Sequence, residues 1–366
     1  MQSSRPQAPA DTMKRLLANA PPHLVRELAA RGLDLVVVDH PHRLGLIADL
    51  GRRHVLRPLW PRSKVDPRAV IDLRRVLRAT APDMIHAFSP RMLAVALLAS
   101  FGLRPPPSIV SFRGITRPPS RLDLGDRISF LSSRVRLHTC ESNAVMDAMV
   151  EGGIPRAMCH TVYNCVHQPP LSPAERVAIR DRFEIPRESF VVGTIATIRP
   201  VKGVDLLLRA AIECADLADV RWLVVGGGGD RTVSRLAGHE GLAARLRMPG
   251  HVPGAGNLAG AMDLFVMPSR REGLCRALLE SMAQAVCPVV SDAGGMKEIV
   301  RDRIDGIVFP GGDVPRLVAA IRELHLDRDR LAAYGESARD RVNAMCSTKA
   351  MADRVMAAHA RLDAAA

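Results

Sequence analysis

The chain has 366 residues, 47% of them hydrophobic and 24% charged, with a mean hydropathy of +0.04. These figures exclude a disordered or fibrous chain, and the length suits two α/β domains better than a single core. No apolar stretch reaches the roughly 18 residues that a membrane-spanning helix needs, Met92 to Leu103 being the longest, and Met1 to Asp11 shows no signal-peptide pattern, so a cytoplasmic location is expected.

The net charge of +13 is unevenly placed: residues 1–172 hold 24 Lys and Arg against 13 Asp and Glu, whereas residues 173–366 hold 27 against 25. Such concentration points to an anionic partner for the first half, either a membrane surface, a phosphorylated glycolipid or nucleic acid. Nucleic acid is the weakest of the three, because aromatics make up only 3% and no basic run is interleaved with stacking residues. A solvated, arginine-rich surface is the bland alternative. The seven cysteines show no CxxC pair and no zinc-ligand spacing, and read as reduced, mostly buried thiols.

In chain order, apolar runs rich in Val, Ile and Leu alternate with helical patterns, the signature of βα repeats. The first half predicts strands at 33–38, 54–59, 83–87, 108–112, 135–139 and 160–163, with helices between them such as 67–79 and 142–151. The polar, proline-containing stretch 167–188 reads as an interdomain connection. The second half restarts with strands at 190–195, 222–225, 264–267, 288–291 and 306–309. Residues 313–366 are helical in pattern, with a break near Cys346 and Ser347. The fold class is therefore α/β, two doubly wound Rossmann-like domains facing across a cleft where loops and helix N-termini converge on a ligand.

The strongest motif is Pro268 to Ala283, PSRREGLCRALLESMA, directly after the strand at 264–267. Glu272 falls in a strand-to-helix loop, and Glu280, eight residues on, falls on nearly the same side of the following helix. A helix opening at Gly273 and Leu274 aims backbone N–H groups and a partial positive charge at a diphosphate. Two ionised carboxylates so placed accept hydrogen bonds from sugar diols.

This Glu-x7-Glu pattern, with PVVSDAGGMKEIV and DGIVFP after it, resembles the retaining GT-B glycosyltransferases of family 4, or group 1. Upstream, VVGTIATIRPVKGVDLLLRA, WLVVGGGGD and RMPGHVP continue the resemblance in order. Over the first half it rests on DMIHAFSPR, CESNAVMDAMVEGGIP and VYNCV. The resemblance implies an acceptor-binding domain at 1–168, a linker at 169–188, a nucleotide-sugar-binding domain at 189–345, and a C-terminal helix at 346–366 packing back on the first domain. It implies that Glu280 takes the ribose hydroxyls, that Glu272 takes those of the transferred sugar, and that Arg199 and Lys202 neutralise the diphosphate. Val252 would present backbone to the base, and Gly193 would let chain and phosphate approach. The nucleotide sugar is a substrate, so no cofactor is expected. No metal is expected either, since cations and N–H dipoles answer the leaving group's charge and no clear DxD pair is present. The implied reaction carries a sugar from a UDP- or GDP-sugar to a hydroxyl of a glycan or anionic glycolipid, as in polysaccharide or lipopolysaccharide biosynthesis. It keeps the anomeric configuration and takes place at or near the inner membrane leaflet, without nucleic acid.

The first half departs from that pattern twice. The family opens with a strand and a glycine-rich loop, whereas Met13 to His23 contains no glycine. SIVSFRGIT carries Arg113 where the family often has histidine, and an arginine can hold phosphate but cannot act as a base. Arg113 is therefore expected to contact an anionic acceptor or the donor phosphate, with His86 and Arg91 as further acceptor-side candidates. Both departures favour one other reading, a catalytically inactive GT-B partner that binds nucleotide sugar; an epimerase or phosphorylase of the same architecture is a separate alternative.

Overall fold

The computed structural model describes residues 14–50, 54–167 and 169–363. They form two compact units, the first running to Tyr163 and resuming at Thr348, the second Asn164–Ser347. The first unit is built on seven strands: β1 Lys14–Ala18, β2 Asp34–Asp39, β3 Val55–Pro58, β4 Met84–Ala87, β5 Ser108–Arg113, β6 Val135–Cys140 and β7 Cys159–Thr161. All pair in parallel, in the order β3-β2-β1-β4-β5-β6-β7. The second unit repeats the plan with β8 Phe190–Ile195, β9 Val220–Val225, β10 Leu246–Gly250, β11 Leu264–Met267, β12 Cys287–Ser291 and β13 Ile307–Phe309, in the order β10-β9-β8-β11-β12-β13. In each sheet the winding reverses beside the first strand, between β1 and β4 and between β8 and β11, and a doubly wound sheet opens its ligand crevice at that point.

The strands are near-continuous apolar runs because helices cover both faces. Leu16, Val36, Ile85 and Ile109 pack with Leu73 and Val95 in the first unit, and Phe190, Trp222 and Phe265 are fully buried in the second. Helix starts follow one local recipe. Asp66, Ser89 and Ser172 each cap the N–H groups of a helix whose first residue is proline, at Pro67, Pro90 and Pro173.

Several expectations are corrected. β1 and β10 carry no expected strand, yet β1 lies at the centre of its sheet, paired with β2 and β4. No glycine is needed after it, because Asn19 takes the left-handed conformation, φ 63°, which a short amide side chain tolerates. Arg43 holds that turn by donating to Asn19 Oδ1 (2.6 Å) and the Ala20 carbonyl (2.7 Å). Within residues 169–188, Pro173–Arg182 is a helix with a full capping box between Ser172 and Glu175. The C-terminal region breaks into three helices, Val314–Leu326, Arg328–Met345 and Thr348–Asp363. The last lies in the first unit, where Asp353 pairs with Arg31 (2.6 Å) and Asp363 with Arg15 (3.2 Å).

Asp263, at the entrance to β11, is the node of the second unit's lower edge. It accepts from Arg176 (2.6 Å), Arg180 (2.8 Å) and the Val191 amide (2.7 Å). Asp263→Ala strands the buried Arg180 guanidinium, so it should cost about 3 kcal/mol of stability, read as a lower midpoint in urea unfolding.

Candidate functional site

The residues with chemistry in the second unit lie on the loops that leave β8 and β11, the two strands that flank its winding reversal. After β8 the chain runs through Arg199 into a tight turn, Pro200–Lys202, and enters the helix Val204–Glu213 through Gly203. Gly203 has φ +67°, and a Cβ there would overlap the Pro268 carbonyl, so the two loops touch at a point only glycine permits. After β11 the chain runs from Pro268 to Cys275, and the helix Arg276–Ala283 follows. The helix thus begins three residues later than expected, and Gly273 and Leu274 are buried in the loop before it.

The two loops are joined by a clamp. Arg270 donates its amide to the Val201 carbonyl (2.9 Å), its guanidinium to the Pro200 carbonyl (2.6 Å), and a bidentate pair to both Asp205 oxygens (2.7 Å each). Burial pushes the Asp205 carboxyl up, yet the hydrogen bonds from Arg270 outweigh it and hold the group below its usual range. A planar, bidentate fork fixes orientation as well as distance. Its result is the central contact of the site: Lys202 Nζ donates to Glu272 Oε2 at 2.6 Å, with the two side chains 19% and 11% exposed. Ser269 Oγ adds a bond to the same oxygen (3.2 Å), and Ser291 Oγ steadies the Ser269 carbonyl (2.6 Å). From the other side Gly294, φ +60°, lies against the Glu272 carbonyl where a Cβ would overlap it, and the Gly295 amide bonds the Gly273 carbonyl (2.9 Å).

Glu280 sits in the second turn of the helix Arg276–Ala283, against the loop that follows β10. A Cβ on Gly256 would stand 2.6 Å from its carboxylate. Its polar contact is a long one with Arg276 (3.5 Å), and burial pushes its carboxyl above the usual value. Val252 is buried in the same post-β10 segment, and Arg199 is exposed beside Lys202. Cys275, next to Glu272, is fully buried, and that burial raises its thiol to about 12, so it stays protonated and is no nucleophile near neutral pH. Among the described residues, no group of three or more His, Cys, Asp or Glu is placed to hold a metal ion.

Gly193 lies inside β8, where a Cβ would stand 2.5 Å from the Met262 sulfur, so its missing side chain makes room for the core. Two first-unit candidates are also structural. Arg113 is buried: its guanidinium lies 4.3 Å from the Phe130 ring centroid, donates to the Arg117 carbonyl (2.6 Å) and faces Asp126 at 3.9 Å. His86 is fully buried between His359 Nε2 (3.1 Å) and Thr139 Oγ1 (3.0 Å), and burial lowers it to about 3, so it is a neutral core group. Arg91 remains exposed in the first turn after β4. Sequence reasoning missed Asp205, Ser269, Arg270 and Ser291. Arg270 adjoins Glu272 and Asp205 opens a helix, but nothing in the spacing pairs them across the sheet.

Two doubly wound parallel-sheet units, one of them carrying a Lys–Glu pair and a second carboxylate beside its switch point, define a two-domain α/β protein. Residues 23–168 match the family described as Glycosyltransferase Family 4, and residues 175–341 match Glycosyl transferases group 1. The chain belongs to this GT-B family of glycosyltransferases. It is 33% identical over 186 residues to the GDP-mannose-dependent alpha-(1-6)-phosphatidylinositol monomannoside mannosyltransferase of Mycobacterium tuberculosis, covering 47% of each chain. To the lipopolysaccharide core biosynthesis glycosyltransferase LpsE of Rhizobium meliloti it is 25% identical, covering 86% of this chain and 87% of that one. In fold it matches Anabaena Alr3699/HepE, solved in complex with UDP-glucose, at a TM-score of 0.77 and 19% identity, over 95% of this chain and 99% of that one. The matches above 30% identity span less than half the length of those relatives.

The raised Glu280 carboxyl has a testable consequence. Its folded pKa lies above the unfolded value of 4.5, so ionising it costs stability as pH rises through that window. Glu280→Gln should be the more stable protein in urea at neutral pH, with the difference vanishing below pH 4.5.

Proposed function

We propose that the protein is a retaining glycosyltransferase, moving a sugar from a UDP- or GDP-sugar to a hydroxyl of a glycan or anionic glycolipid in cell-surface polysaccharide or lipopolysaccharide assembly. It works in the cytoplasm, at the inner face of the membrane. The observation that carries this reading is the Lys202–Glu272 pair at the switch point. With the donor absent each charge answers the other. When the donor enters, its diphosphate takes Lys202, with Arg199 beside it, and the released Glu272 carboxylate accepts hydrogen bonds from the hydroxyls of the transferred sugar. Glu280 holds the ribose diol, and the backbone near Val252, Gly273 and Leu274 meets the nucleotide. Negative charge develops on the departing diphosphate, where a cation fixed in advance lowers the barrier without reorganising. The relatives support the substrate classes by name, one as GDP-mannose-dependent and acting on a phosphatidylinositol mannoside, and one as a lipopolysaccharide core enzyme.

A thermal-shift series with UDP, GDP, ADP and their sugars selects the donor, because a ligand bound only by the folded state stabilises it. With that donor, Glu272→Ala should lower transfer by at least about 10²-fold and leave the stabilisation by nucleoside diphosphate in place. Lys202→Ala should weaken both. Chelation by EDTA should leave the rate unchanged, and NMR of the product should show the donor's anomeric configuration. Loss of diphosphate binding in Glu272→Ala, or an inverted product, overturns the assignment.

A further inference from the structure

The first unit holds a cavity away from its winding reversal. The cavity lies between the crossover that joins β5 to β6, residues 114–134, and the turn that leads from the helix Asn143–Glu151 into β7. Several of its lining residues, 130–133 and 153–158, precede β6 and β7, and in the sheet β5 stands between these strands and β4. It is therefore distinct from the crevice between β1 and β4. Its volume, about 510 Å³, is that of a site for a small organic ligand.

The lining is apolar with cations at its rim. Phe130, Ile154 and Met158 supply the apolar surface, Arg121 and Arg127 are exposed, and no Asp or Glu takes part. Neither arginine forms an ion pair among the described residues. The carboxylates of the same crossover answer to Arg117 instead, Asp126 at 2.7 Å and Asp123 at 3.5 Å.

The deepest polar group of the lining is His138, which is 1% exposed. Its Nδ1 stands 2.7 Å from Ser111 Oγ, and that buried hydroxyl has no other hydrogen-bond partner among the described residues. The serine proton is satisfied only by pointing at Nδ1, which assigns the imidazole hydrogen to Nε2. Burial, aided by the charge of Arg113, lowers the group to about 4, so the ring is neutral near neutral pH. Nε2 has no partner among the described residues, and a buried N–H without an acceptor is costly until a ligand supplies one.

We propose that this cavity binds a small amphipathic anion, a carboxylate or phosphate monoester carried on an apolar body. Arg121, Arg127 and the His138 N–H hold the head, and Phe130, Ile154 and Met158 pack against the body. The site lies wholly in the first unit, apart from the Lys202–Glu272 pair.

Calorimetric titration of the full chain tests this with octanoate and octyl phosphate below their micellar concentrations, against octanol, which lacks the charge, and inorganic phosphate, which lacks the apolar body. One or both of the amphipathic anions should bind and the two controls should not, the tighter anion identifying the head group. The surface double variant Arg121→Gln with Arg127→Gln should bind about tenfold more weakly, with circular dichroism and unfolding midpoint unchanged. In nitrogen-15 NMR of the unmodified protein, the bound anion should shift one histidine Nε2 signal, the one missing from His138→Phe. Lys202→Ala should bind the anion as the unmodified chain does, so the outcome is independent of the transferase reading. Absence of binding by both anions, equal binding of octanol, an unaffected arginine variant or an unmoved His138 signal overturns the proposal. So does loss of binding in Lys202→Ala, which would place the anion in the second unit.

Discussion

The site in the second unit depends on one contact, the ion pair between Lys202 and Glu272. Two charges this shielded from water are tolerable only while each satisfies the other, and neither would hold its place if the loops carrying them could drift. The Arg270–Asp205 clamp and the two glycines that allow backbone contact, Gly203 and Gly294, remove that freedom. Under the proposed function, a diphosphate would meet a cation already in position and exchange one anionic partner of Lys202 for another.

Glu280 follows the opposite logic. It is half-buried against Gly256 with a single long contact to Arg276, so its carboxylate is poorly satisfied in the empty protein. A carboxylate held this way costs stability, so the paired carboxylate and the under-satisfied one differ in environment although they stand only eight residues apart.

The first unit shares the strand order of the second but uses its polar groups differently. His86, His138, His359 and Arg113 are drawn into the interior, where His86 bonds both Thr139 and His359 and so ties the C-terminal helix to the sheet. Its excess cations stay outside, several of them on the loops that β3 and β5 send beyond the sheet edge. The loop after β1, without glycine, turns at Asn19 and is held there by Arg43.

By itself the sequence determined the alternation of strands and helices, the two-domain α/β plan and the Glu272–Glu280 spacing, because apolar periodicity and loop chemistry are local properties. β1 and β10 escaped it: Lys14 and Arg15 open one strand and Pro249 with Gly250 close the other, and both hide a short apolar run that only sheet neighbours stabilise. Whether a charged or small residue faces a ligand or the core was decided by tertiary structure alone. Met262 claims the space above Gly193, Phe130 and Asp126 claim Arg113, and His359, 273 residues further on, claims His86. Arg270 and Asp205 likewise find each other across 65 residues, since the winding reversal of a parallel sheet sets side by side two loops that no spacing along the chain connects.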